Sequence, residues 1–173
     1  MKIIYNGKKQ NIIDALEHVH ELFDDSEFWA AIAAKGSFDH SEYTPAQISE
    51  FMHNKGEPVT VKLYKSYVRK RKANAYADPA RPNSIFYNSR KTRRSVAKMV
   101  KTFVHEYVHT ADFTEDGDRH SDYAYGSQSA AGKENTASYW IGGLAQRFYE
   151  NMNDVDESRM LTIADSEILD ENS

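Results

Sequence analysis

The sequence predicts an α+β fold, mostly helical, with one short sheet. Apolar residues recur at three- and four-residue steps over about 12–34, 96–111 and 135–151, the period of helices with one buried face. Two short stretches, Val59–Tyr64 and Ser84–Asn88, are β-prone and bounded by turn residues. No apolar run reaches the length of a membrane span.

Met1–Tyr5 is a candidate short strand, closed by the turn signal Asn6-Gly7. Ile12, Ile13, Leu16, Val19, Leu22 and Phe23, then Phe28, Trp29 and Ile32, follow helical spacing. Asp24-Asp25-Ser26 splits them into two helices, with Ser26 as the expected cap and Gly36 as the stop. His18 and His20 read as surface residues, because positions i and i+2 on a helix do not face one ion. Thr44-Pro45-Ala46 opens a third helix, Thr44 capping and Pro45 at the first helical position, and Asn54-Lys55-Gly56 closes it. Val59–Tyr64 alternates like a half-buried strand. Lys65–Lys72 reads as loop or extended strand, and Pro79–Pro82 as loop. A helix containing Val96–Ala111 follows, with Ser89 as its expected cap. A polar stretch, Phe113–Lys133, leads to the last strong helix, Asn135–Asn151.

At 173 residues, 40% of them hydrophobic, the chain is read as a single domain, 1–173, able to bury a core, with an acidic tail from about 151. There is no cysteine, which excludes disulfides and thiolate metal sites. The first ten residues lack a secretory apolar core, so the expectation is a cytoplasmic protein without a membrane partner, release by a non-classical route left open. Residues 62–101 hold thirteen Lys or Arg against Asp78, a charge of +12, which leaves −16 for the rest of a chain whose net charge is −4. An asymmetry of that size is a reason to ask about an acidic partner such as a nucleic acid, but the block reads first as a solvated face that also pairs with the acidic tail.

The chemistry concentrates in Val104–Thr110, V-H-E-Y-V-H-T. His105 and His109, four apart, stack on one helix face and can grip a single ion. Glu106 can reach a water on that ion rather than the ion itself, the general-base arrangement of a zinc hydrolase. Catalytic zinc takes three protein ligands and a water. Candidates for the third are Asp112, Glu115, His120 and Glu134. Asp112, one turn past His109, suits a partner of that ring better than a ligand. Glu134 opens a helix, and rigid elements aim ligands better than loops do.

H-E-Y-V-H-T-A-D, followed by A-Y-G and K-E-N-T-A-S-Y-W-I-G, resembles the gluzincin metallopeptidases, and within them the lethal-factor type of catalytic domain. The resemblance covers roughly residues 96–148. It implies a zincin-like domain with Zn²⁺ held by His105, His109 and Glu134, Glu106 as base and Tyr125 as the oxyanion donor. It also implies a short sheet in which Ser84–Asn88, just before the motif helix, is the edge strand that pairs with an extended peptide. The function expected is zinc-dependent hydrolysis of a peptide bond in a protein or a cell-wall peptide. The alternative is a basic nucleic-acid-binding module, or a zinc-stabilised interaction module without catalysis.

Overall fold

The computed structural model describes residues 2–65, 73–113 and 133–152. It is α+β and about 54% helical, which bears out the fold class at that level. β1 (Ile3–Ile4) leads into α1 (Gln10–Asp24), α2 (Ser26–Ala33) and α3 (Pro45–His53). β2 (Val59–Tyr64), β3 (Ala75–Asp78) and β4 (Arg81–Asn88) follow, then a 3₁₀ turn over Ser89–Lys91 and α4 (Val96–Asp112). A last helix, α5, runs over 137–152. None of the described helices is long and apolar enough to cross a membrane.

Local chemistry accounts for the boundaries. Thr44 accepts from the Gln47 amide while the Gln47 side chain returns a bond to Thr44, a capping box ahead of Pro45. The break between α1 and α2 is capped by Asp25, whose carboxylate accepts from Glu27, so Ser26 becomes the first helical residue. Ser89 is likewise not the cap of α4. It opens the 3₁₀ turn, and Ser95 takes the capping position.

The sheet has the order β1-β2-β4-β3, with β1, β2 and β4 parallel and β3 antiparallel to β4. The expected edge strand, Ser84–Asn88, therefore lies inside the sheet, and β3 is the edge strand on that side. The reason is a strand that the pattern hides: Ala75–Asp78 is short and built on alanine, weak β-formers that pair only because a hairpin brings them to β4. Only Pro79 and Ala80 of the expected loop are turn. Arg81 and Pro82 belong to β4, where the register shift between Ala77 and Asp78 tolerates a residue without an N–H.

The core sits between the inner sheet face (Val59, Val61, Ile85, Tyr87) and the helices, with Ile12, Val19, Phe28, Ile48, Met52, Val100, Phe103 and Val104 inaccessible. α4 is wrapped rather than half-exposed. Thr102, Glu106, Thr110 and Asp112 are buried along with its apolar stripe. Tyr107 donates its hydroxyl to the Met52 carbonyl at 3.2 Å, tying α4 to α3. His18 pairs with Glu21 and meets Tyr149 edge-on, and His20 accepts the amide of Ile3, so both are half-buried anchors rather than bare surface residues.

Candidate metal centre

The i, i+4 spacing does what the sequence requires of it. The Nε2 atoms of His105 and His109 lie 3.3 Å apart. Two nitrogens bound at about 2.0–2.1 Å to one tetrahedral ion would stand about 3.3 Å apart. The pair therefore fits two positions of a zinc site. With Nε2 turned to His109, the ring nitrogen of His105 left for the backbone of Ser138 is Nδ1. That bond selects the tautomer whose Nε2 lone pair is free to bind. Burial pushes His105 down to about 4, against the pull of the Ser138 backbone and with help from the Lys101 and Lys133 ammonium groups. The ring is thus neutral at pH 7, the state a ligand needs.

Glu106 is buried where α4 passes under β3, and its carboxylate accepts the amide of Ala77. Asn88 N–H bonds the Asn74 carbonyl at 2.8 Å, so residues 74 and 76 face β4 while Ala75 and Ala77 turn their backbone groups outward. Glu106 thus occupies one outward amide of the edge strand. Burial pushes its carboxyl up to about 8, and the Ala77 bond only partly offsets that. A cation on the neighbouring histidines would draw it back down.

Above these groups opens a cleft of about 480 Å³, lined by His105, Glu106 and Tyr139 at one end. Its walls are Ala73, Asn74 and Ala75 on one side and Arg94, Lys98, Lys101 and Thr102 on the other. Tyr139, on α5, meets the His105 ring edge-on at 4.7 Å and is 42% exposed. Sequence reasoning missed it, because its place on α5 is off the apolar stripe and nothing in the sequence ties it to His105. No family model, curated protein or solved structure matches the chain.

The other expected site residues are placed as follows. Glu134 is exposed, in the turn before α5, where Asn135 is tied to Asp39 by its side chain at 2.8 Å and by its carbonyl at 3.1 Å. α5 begins at 137, so Glu134 precedes the helix it was expected to open. Among the described residues no third His, Asp or Glu gathers with the histidines. Asp112 is fully buried one turn beyond His109, where a partner for that ring is expected. Tyr125, Glu115 and His120, the segment 66–72 and most of the acidic tail lie outside the described residues.

The basic block divides. Lys62 and Arg81 lie over the ring of Phe86 on the outer sheet face, where Tyr76 stacks on Phe86 and Tyr64 meets Tyr76 edge-on. Arg94, Lys98 and Lys101 line the cleft instead. The two groups serve different surfaces.

Proposed function

We propose that the chain is a zinc metallopeptidase with a zincin-like domain. The observation that carries this is the 3.3 Å approach of the two Nε2 atoms, with the His105 tautomer set by Ser138 and Glu106 opening on the same cleft. His105, His109 and the Glu134 that the resemblance implies would hold zinc, which would supply a Lewis acid and an acidified water. Glu134 is four residues from Ser138 and adjacent to Lys133, both of which act on His105, so it belongs to the right neighbourhood. Glu106 takes a proton from the attacking water and returns it to the leaving amine. A tyrosine hydroxyl, from Tyr125 by resemblance or from Tyr139 by its contact with His105, donates to the oxyanion. β3 takes the edge role expected of Ser84–Asn88, and the outward backbone groups of Ala75 can pair with an extended substrate.

The test is metal analysis of the purified protein with a peptide-library digest. One zinc per chain and cleavage abolished by a chelator are expected. A chain that holds zinc and cuts nothing would be the interaction module, and a chain that holds no zinc would overturn the reading altogether.

A further inference from the structure

The cleft is asymmetric in charge. Arg94, Lys98 and Lys101 line one flank, and among the described residues that line the cleft Glu106 is the only acid. No described carboxylate forms an ion pair with any of the three, since the ion pair found among the described residues is that of His18 with Glu21. Arg94 is held by hydroxyls instead. Its Nη1 donates to Thr102 Oγ1 at 2.8 Å, and the Tyr87 phenol is a second partner. Thr102 spends its own proton on the Lys98 carbonyl at 2.8 Å, so its hydroxyl is oriented to accept from the guanidinium. Neutral oxygens hold the arginine without cancelling its charge.

We infer that this flank reads a carboxylate, and that the substrate is an acidic peptide with Asp or Glu two or three residues to one side of the bond attacked. The inference rests on the peptidase reading for the location of that bond. A helix rises about 1.5 Å per residue, which sets Lys101 about 6 Å and Lys98 about 10 Å back from His105 along α4. An extended peptide advances about 3.3 Å per residue, so residues two and three from the histidines come level with the two lysines. Because successive side chains point to opposite faces, one of the two turns its side chain to this flank. Arg94, farther out, meets a more distant carboxylate or draws the peptide in.

The opposite wall agrees with an extended occupant. Ala73, Asn74 and Ala75 carry no charge and little bulk, and Ala75 turns its N–H and C=O outward from the sheet. One wall supplies backbone pairing, which is indifferent to sequence, and the other supplies charge selection. A nucleic acid strand would use the cations and leave those backbone groups unpaired.

The experiment measures anisotropy of three labelled peptides, identical except for Glu, Gln or Lys at the two flanking positions, on zinc-supplemented full-length Glu106→Gln protein. The same peptides are then digested with the wild type. The Glu peptide is expected to bind at least about tenfold more tightly than the Gln peptide, and the Lys peptide least well. Lys98→Glu, at an exposed position, and Lys101→Glu in the same background should shrink or invert that order. Circular dichroism checks folding of each, and Lys98→Glu alone decides if the half-buried Lys101 position does not tolerate reversal. Equal binding of the Glu and Gln peptides, or an order unmoved by Lys98→Glu, overturns the inference. So does a single-stranded oligonucleotide that outcompetes the Glu peptide on the wild type and loses its affinity on reversal. Charge-dependent binding with no cleavage of any peptide would instead sink the peptidase reading, and cleavage indifferent to charge would sink only this one.

Discussion

Gly142 lies flat against His105. A Cβ built on it would stand 3.2 Å from the His105 Cβ and 2.8 Å from the carbonyl oxygen of Lys101. The backbones of α4 and α5 approach this closely because residue 142 has no side chain, and the approach brings Ser138 and Tyr139 onto the His105 ring. Gly142→Ala should force the helices apart, at a cost of about 1–3 kcal/mol for overpacking. It should also lower zinc occupancy, because Ser138 no longer sets the tautomer. Gly143→Ala is the control, since its Cβ would meet only Arg147 Nη1, at 3.7 Å. Urea denaturation and elemental analysis of the pair read both effects, and equal behaviour of the two variants would refute the account.

Glu106→Gln is expected to fold, hold its metal and lose turnover by a factor of about 10²–10⁴, the range for a general base. The amide is nearly isosteric and can still accept the Ala77 N–H through its oxygen, but it cannot carry a proton. Turnover within threefold of wild type, at equal zinc content, would remove Glu106 from the mechanism.

The proposed mechanism has two candidate tyrosines for the oxyanion. Tyr139→Phe keeps the ring against His105 and removes only the hydroxyl. If Tyr139 is the donor, kcat falls by about 10²–10³ with zinc content unchanged, and Tyr125→Phe does little. If the resemblance is the better guide, the two results exchange. Steady-state kinetics on both variants decides between them, and two wild-type rates would mean that neither hydroxyl serves.

Glu134→Ala should strip zinc, whereas His120→Ala should leave it bound, if the ligand set is the one the resemblance implies. Binding would also have to turn the exposed Glu134 side chain inward, past the Asn135–Asp39 clasp. Asp39→Ala, by loosening that clasp, should then alter metal affinity without touching a ligand. Zinc titrations of the three variants carry the test.

The long periodic helices were legible because their faces are one-sided: Leu16, Val19 and Phe23 on α1, or Met99, Val100 and Phe103 on α4, announce burial by spacing alone. The Thr44-Pro45 start was legible because capping is local chemistry. β3 was not. Its alanines have no preference that a tertiary partner does not confer, and missing it put β4 at an edge it does not occupy. At the site, the histidines and Glu106 declared themselves by covalent spacing. Tyr139 and Ser138 act on His105 through a helix crossing set by Gly142, and no local pattern encodes a crossing.

β3, β4 and α4 succeed one another from Ala75 to Asp112, so the edge strand, the strand it pairs with and both histidines belong to one short stretch of chain. Contacts so near in sequence have small loop-closure entropies and form early. α5 begins only at 137, well after α4 ends at Asp112, and must dock before Ser138 reaches His105. On a ribosome the histidines would emerge and pair while the carbonyl that orients one of them was still unmade. If the chain is the proposed zinc protein, metal capture would then wait for the synthesis of α5, and a truncated product ending before it would carry the H-E-x-x-H signature yet compete poorly for zinc.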